Sequence, residues 1–286
     1  MSDLIDELRK TMAYLESVPV VTEPFEHFLL QRPFSENLYR TLLHHLPADD
    51  AYDWGKGQVA TEHQRGCFYL NPCYLRRLPP AKRSTWEQVR HWVLSGDFVS
   101  VLLNKYRQSI SRRFSVEPRG SILLGEVKLI RDKCGYALQP HTDRPNRVTT
   151  IMFYLPQNFE LEDCGTAIYR PHNVGQRCSG FKRHSYDDFE LLSKASFVPN
   201  SGLCFLKSDR SFHGVEPIER AGTRRDFATF SIRCVKEGPR KKARRCMAAL
   251  RGNQPNYRLA HPAEVLGMVH YISTLLYVLD FNPTIF

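Results

Sequence analysis

The chain has 286 residues, 42% of them hydrophobic, which excludes an intrinsically disordered protein and allows one large domain or two small ones. Its formal net charge is +10, but six of the cations (Lys236, Arg240, Lys241, Lys242, Arg244, Arg245) fall in one run that reads as an exposed connector and not as a nucleic-acid groove. The eight cysteines form no CxxC pair, and a chain of this length needs no disulfide staples, so free thiols and a cytoplasmic location are expected.

The N-terminus, MSDLIDELRK, is acidic and amphipathic and lacks the pattern of a secretory signal. The first third reads as helical. Leu4, Ile5, Leu8, Met12 and Leu15 keep a 3.6-residue period, as do Leu38, Tyr39, Leu42, Leu43 and Leu46 before Pro47. Ser84 with Glu87 has the form of a capping box and predicts one long helix from there to about Ile110. Residues 48 to 83 read as loop with short extended pieces.

After Pro118 the pattern changes to short β-rich runs punctuated by Gly and Pro. The predicted strands are Ile122–Ile130, Ala137–His141, Val148–Leu155, Thr166–Tyr169, Ser196–Val198, Leu203–Leu206 and Phe227–Cys234, with an irregular insertion over 172–195. Short strands with no helices between them predict an antiparallel barrel or jelly roll. This gives an α+β chain with a mainly β core: a helical support region over 1–118, the β core over 119–235, and a basic connector with a C-terminal helix over 236–286. The apolar stretch 265–281 is slightly short for a membrane span and is expected to pack on the domain, or on a second copy in a homodimer.

Three pieces carry candidate chemistry. His141 and Asp143 stand two apart, so in an extended strand both face one side. His213 follows a predicted strand, and a jelly roll can set it beside the first pair. Two His and one carboxylate on one face, with the opposite face open, is a ligand set suited to non-haem Fe(II). Arg224 and Arg225 open the last β run, where a guanidinium could bind a carboxylate bidentately. Gln139 shares the face of His141, and Thr150 is a further candidate for the pocket. His172 and His184 lie in the insertion, while Trp54, Trp86 and Trp92 read as packing residues.

His141-Thr-Asp143, Ser-Phe-His213-Gly-Val and Arg224-Arg225-Asp-Phe-Ala-Thr-Phe, in that order, resemble the Fe(II)/2-oxoglutarate dioxygenase superfamily on its prolyl-hydroxylase-like branch. VTTIMFYLP, CGTAIY and FVPNSGLCFL resemble the supporting strands of that family, and the resemblance spans about residues 120 to 235. It implies a double-stranded β-helix (jelly-roll or cupin-like) with helices packed outside. It also implies iron ligands at His141, Asp143 and His213, and a 2-oxoglutarate arginine at Arg224 or Arg225, with Arg224 preferred. The implied chemistry is oxidation of a substrate C–H bond coupled to conversion of 2-oxoglutarate and O2 to succinate and CO2, with ascorbate as an optional reductant. The carboxylate of Asp143 favours hydroxylation or a related oxidation over halogenation.

The expected substrate is a small polar metabolite held between the barrel mouth and the segments 48–83 and 172–195. Arg144, Arg147, Arg170, Arg177, Lys182 and Arg183 stand near the site in sequence and suit a negative group. A protein side chain is the second reading, nucleic acid the third, and a non-catalytic jelly-roll binding protein the fourth.

Overall fold

The computed structural model describes residues 2–55, 63–114, 121–236 and 257–259. The first helix, α1 (Ser2–Ser17), and the second, α2 (Glu36–His44), follow the two predicted periodicities. Ser35 caps α2 by accepting a hydrogen bond from the Leu38 N–H. A short α3 (Pro72–Leu75) lies within the stretch expected to be loop.

The single long helix expected from Ser84 is instead three: α4 (Pro80–Leu94), α5 (Gly96–Lys105) and α6 (Arg107–Phe114). The chain enters α4 through Pro79-Pro80, whose fixed φ suits a first turn, so Ser84 falls inside the helix. Ser95 then takes an extended conformation and caps α5 through the Phe98 N–H, which breaks the run.

Twelve strands are described: β1 (His27–Gln31), β2 (Asp53–Trp54), β3 (Arg65–Tyr69), β4 (Ser121–Lys133), β5 (Leu138–His141), β6 (Arg147–Tyr154), β7 (Thr166–Pro171), β8 (Phe189–Ala195), β9 (Ser201–Leu206), β10 (His213–Val215), β11 (Arg224–Lys236) and β12 (Tyr257–Leu259). They form two sheets. The larger runs β1-β9-β6-β11-β4-β3-β2, with β12 also on β4, and the smaller runs β5-β10-β7-β8. Between β4 and β11 the chain alternates between the sheets except for the β7–β8 hairpin, and this is a double-stranded β-helix.

Two expectations are corrected. Ser196–Val198 is not a strand; the strand is β8, which takes up the last part of the predicted insertion. Its exposed positions Glu190, Leu191 and Ser193 blur the alternation. The first third also supplies β1, β2 and β3 to the larger sheet and is not helical support alone. Residues 237–256 and 260–286 lie outside the described residues, and with them most of the basic run, the C-terminal helix and the expected dimer contact. Among the described residues no helix is long and apolar enough to cross a membrane.

Side-chain parity separates two cores. The odd positions Leu123, Val127 and Leu129 of β4 and Ile151 and Phe153 of β6, with the even positions Phe230 and Ile232 of β11, join Trp86, Phe98 and Leu102 under the helices. Ile130, Met152, Tyr154, Leu203, Phe205 and Phe227 face the other way and fill the interior between the sheets with Ile168 and Phe197. Even positions of β4 and β6 and odd positions of β11 therefore line the barrel.

Candidate metal centre

In the small sheet β5 lies beside β10, and His141 stands directly opposite His213. Asp143 follows two residues later on the same side. Thr142 points the other way, is 1% exposed, and donates to the Cys178 carbonyl at 2.7 Å. One ligand atom from each of His141, Asp143 and His213 lies within 4.8 Å of the others. Gly214 permits this pairing: a Cβ there would come within 2.3 Å of the Leu138 carbonyl oxygen.

Both imidazoles are oriented in the same way. His141 Nδ1 lies 3.0 Å from the Gln139 carbonyl and His213 Nδ1 lies 2.9 Å from the Ser211 carbonyl. A carbonyl only accepts, so each Nδ1 carries the proton and each Nε2 keeps its lone pair. Burial and then His213 push the His141 pKa down to about 3, and burial lowers that of His213. For Asp143 burial works upward but is outweighed by Arg147 and the two imidazoles, which bring it to about 2. Two neutral imidazoles and a carboxylate are the protonation states a divalent ion requires. The residues therefore fit a metal with an N2O donor set.

Thr150 and Gln139 are both at the site, in different roles. Thr150 donates to Asp143 Oδ2 at 3.2 Å and accepts from Arg147 Nη1 at 3.3 Å, so it orients the carboxylate. Gln139 has an exposed side chain and contributes its carbonyl to His141. Arg147 Nε stands 3.5 Å from Asp143 Oδ2.

The part of the insertion before β8 is pinned over this loop. Residue 183 bridges His141, and the His184 N–H donates to the Pro140 carbonyl at 2.9 Å. Buried Lys207 donates to Thr142 Oγ1 at 3.1 Å and lies 3.4 Å from the Cys178 carbonyl oxygen, tying β9, the loop of Thr142 and the insertion together. Gly180 has φ +124°, and a Cβ there would lie 2.5 Å from the Asp143 carbonyl oxygen. His184 packs between Phe189 and Phe212 and His172 is exposed, so neither joins the His141–Asp143–His213 cluster. Trp86 and Trp92 are core residues, as expected.

At the other end of the interior the two candidate arginines separate. Arg224 is on the helix-side face, its side chain 48% exposed and paired with Asp226 at 2.6 Å. Arg224, preferred from the sequence, therefore does not face the barrel interior. Arg225 is fully buried in the barrel, with Nη1 2.7 Å from Asp132 Oδ2, Nε donating to the Cys164 carbonyl at 2.7 Å, and Nη2 3.5 Å from Thr166 Oγ1.

Asp132 is shared with Arg65 of β3, whose Nε and Nη2 reach its two oxygens at 2.6 and 2.9 Å. Arg65, Asp132 and Arg225 form one cross-strand row, with two guanidiniums against one carboxylate. The row carries one unbalanced positive charge, which suits an anion.

Tyr154, not singled out from the sequence, is fully buried beside this row. Its ring centroid is 5.8 Å from the Arg225 guanidinium, and its hydroxyl donates to Thr166 Oγ1 at 2.8 Å. Strand alternation from Thr150 through Met152 was the available signal for it.

No protein-family profile and no curated protein sequence matches this chain. Among solved structures, the chain is similar to the non-haem α-ketoglutarate-dependent carbocyclase SnoK of nogalamycin biosynthesis at 12% identity, with 87% of this chain and 92% of that one covered and a TM-score of 0.47. It is similar to a Trichoplax adhaerens prolyl hydroxylase at 13% identity, 81% and 91% covered, TM-score 0.40. It is also similar to a Pseudomonas putida prolyl-4-hydroxylase at 14% identity, 81% and 100% covered, TM-score 0.42.

Proposed function

We propose that this protein is an Fe(II)- and 2-oxoglutarate-dependent dioxygenase that oxidises a C–H bond of a small polar metabolite. The observation that carries the reading is the joint presence, inside one double-stranded β-helix, of the His141–Asp143–His213 cluster and the buried, charge-excess Arg225 row. His141 and His213 would hold the metal through Nε2 and Asp143 through its carboxylate. Bound Fe(II) supplies the activation of O2 that couples 2-oxoglutarate + O2 + R–H to succinate + CO2 + R–OH.

The remaining roles belong to the chain. Arg225, beside the Thr166 and Tyr154 hydroxyls, receives the distal carboxylate of 2-oxoglutarate, and Asp132 holds the guanidinium in place. Thr150 and Arg147 fix the carboxylate of Asp143. The pinned insertion shields the ligand loop from water on one side. A metabolite substrate is supported by that cover and by the cations around the ligands.

The test is succinate release from 2-oxoglutarate by purified protein with Fe(II) and ascorbate, followed by incubation with small-molecule, protein and nucleic-acid fractions of a cell extract. We expect iron-dependent succinate and a product heavier by one oxygen in the small-molecule fraction. Absence of any iron-dependent succinate would leave a non-catalytic binding protein; product in the protein fraction alone would identify a side-chain hydroxylase.

A further inference from the structure

The barrel face of the larger sheet carries a second polar cluster, on the metal side of the apolar interior and away from Arg225. In register it is made of Lys128 opposite Thr229, Glu126 opposite Ser231, and Arg233 opposite Arg147. Lys128 Nζ is 3.4 Å from Glu126 Oε1, and Arg233 Nη2 is 3.2 Å from Glu126 Oε2. Thr150 is opposite Ser231 and donates to Asp143, so the cluster lies next to the metal ligands.

A β-bulge makes this arrangement. Between Ile232 and Arg233 the register of β11 on β6 shifts by one residue, from Ile232↔Thr149 to Arg233↔Arg147. Val148 and Thr149 both turn to the helix side, where Val148 is fully buried and Thr149 donates to the Phe205 carbonyl at 2.8 Å. Arg147 is thereby re-aimed into the barrel beside Arg233. Two like charges directly opposite each other on neighbouring strands are destabilising, so the bulge sets up an unfavourable pair that local stability does not call for.

Within this set of described side chains the cations outnumber the carboxylates. Lys128, Arg147 and Arg233 supply three cations, and Glu126 and Asp143 supply two carboxylates. When Asp143 serves a metal, Glu126 is the carboxylate of this cluster that remains for the cations, paired with Lys128 and Arg233. These four side chains are between 12 and 21% exposed, so the cluster is confined but open to a solute. Burial first, and then Arg147 and Arg144, lower the Arg233 pKa against the pull of Glu126, which accords with an excess of positive potential there.

We infer that Lys128, Arg147 and Arg233 form the substrate subsite, and that the substrate carries an oxyanion, a carboxylate or a phosphate, which they hold beside the metal ligands. This rests on the function proposed above and names the substrate class of the same site. Thr229 and Ser231, on the same face, add hydroxyls to the subsite. An anion there would relieve the Arg147–Arg233 repulsion, and a neutral analogue would leave it in place.

The experiment uses Ni(II)-loaded protein with saturating 2-oxoglutarate at constant ionic strength, titrated calorimetrically with inorganic phosphate and, separately, acetate. One of these is expected to bind at about one equivalent, and which of them binds tells phosphate from carboxylate. Lys128→Met and Arg233→Met should each weaken it by about tenfold or more, and Glu126→Gln should strengthen it. The opposite sign of the Glu126 variant separates charge recognition from general loss of structure.

Binding of neither anion, or affinities unchanged across the three variants, overturns the inference. So does loss of 2-oxoglutarate affinity in the Lys128 and Arg233 variants, which would make this the cosubstrate pocket. Failure of the wild-type protein to bind Ni(II) or 2-oxoglutarate would instead sink the proposed dioxygenase. The same titration on the metal-free protein then still reads the cation cluster.

Discussion

Arg225→Leu and Arg224→Leu differ by one position, yet opposite consequences are expected. Arg225 is fully buried and makes three polar contacts inside the barrel, whereas Arg224 is half-exposed and shares Asp226 with Arg131. Removing Arg225 takes away the guanidinium that would meet the distal carboxylate of 2-oxoglutarate. Loss of one partner of a buried charge pair costs roughly 2–5 kcal/mol, or about 30- to 4,000-fold in Kd. Asp132 is not abandoned in the variant, because Arg65 still grips both its oxygens, so the fold should lose less than the roughly 3–5 kcal/mol typical of a broken buried pair. Arg224→Leu leaves Asp226 paired with Arg131 at 2.7 Å and should change the 2-oxoglutarate Kd by less than about threefold. The assay is calorimetric titration of 2-oxoglutarate into Ni(II)-loaded protein, with urea unfolding of each variant alongside. Equal losses in both variants, or a larger loss for Arg224→Leu, would refute the parity assigned to β11.

Two further predictions follow from the same structure. Because His141 titrates far below the ordinary range and His213 is also lowered, Ni(II) affinity should fall by less than about tenfold between pH 7.5 and 5.5. Two imidazoles of ordinary pKa near 6.5 would lose roughly 100-fold over that range, and such a loss would contradict the buried, neutral pair. The sign for the metal-free fold is set by the unfolded chain: below about pH 6.5 it gains protons that the folded histidines do not, so stability falls toward acid. Asn200 sits at φ 55° and clamps Phe34 by donating to its carbonyl at 2.7 Å and accepting from its N–H at 3.1 Å. Asn200→Ala should cost about 2–3 kcal/mol in urea unfolding, from two lost buried hydrogen bonds and a strained backbone, and a loss under about 0.5 kcal/mol would rule out that clamp.

The clustering of His141, Asp143 and His213 was legible because its signal is local. His141 and Asp143 share a face by alternation alone, and His213 needed only the order of strands. The helix breaks were less legible: Ser84 with Glu87 satisfies a capping pattern, but Pro79-Pro80 and Ser95-Gly96 determine where helices start, and packing of Trp86 and Phe98 under the sheet holds them. β8 was hidden because Phe189 and Ala195 are its only fully buried positions. Arg65 was invisible as a site residue because its role depends on β3 lying beside β4, a pairing between segments 67 residues apart.

The register of Arg224 and Arg225 was decidable from sequence once the right partner strand was considered. Phe227 and Phe230 are both apolar and three apart, so they lie on opposite faces and alternation along β11 alone cannot say which face is the barrel. The strand β4 supplies the missing constraint. Ile130-Arg131-Asp132 runs antiparallel to Arg225-Asp226-Phe227, so Arg225 meets Asp132 on the barrel face and Asp226 meets Arg131 on the helix face. Sliding β11 by one residue, to set Arg224 against Asp132, would place Arg225 against Arg131 and Asp226 against Ile130. One ion pair would survive as Arg224–Asp132, and the other would be replaced by one repulsive pair and one carboxylate facing an apolar side chain, a change of several kcal/mol in a buried sheet. Charge complementarity between strands, and not the hydrophobic pattern, is therefore what assigns Arg225 to the interior.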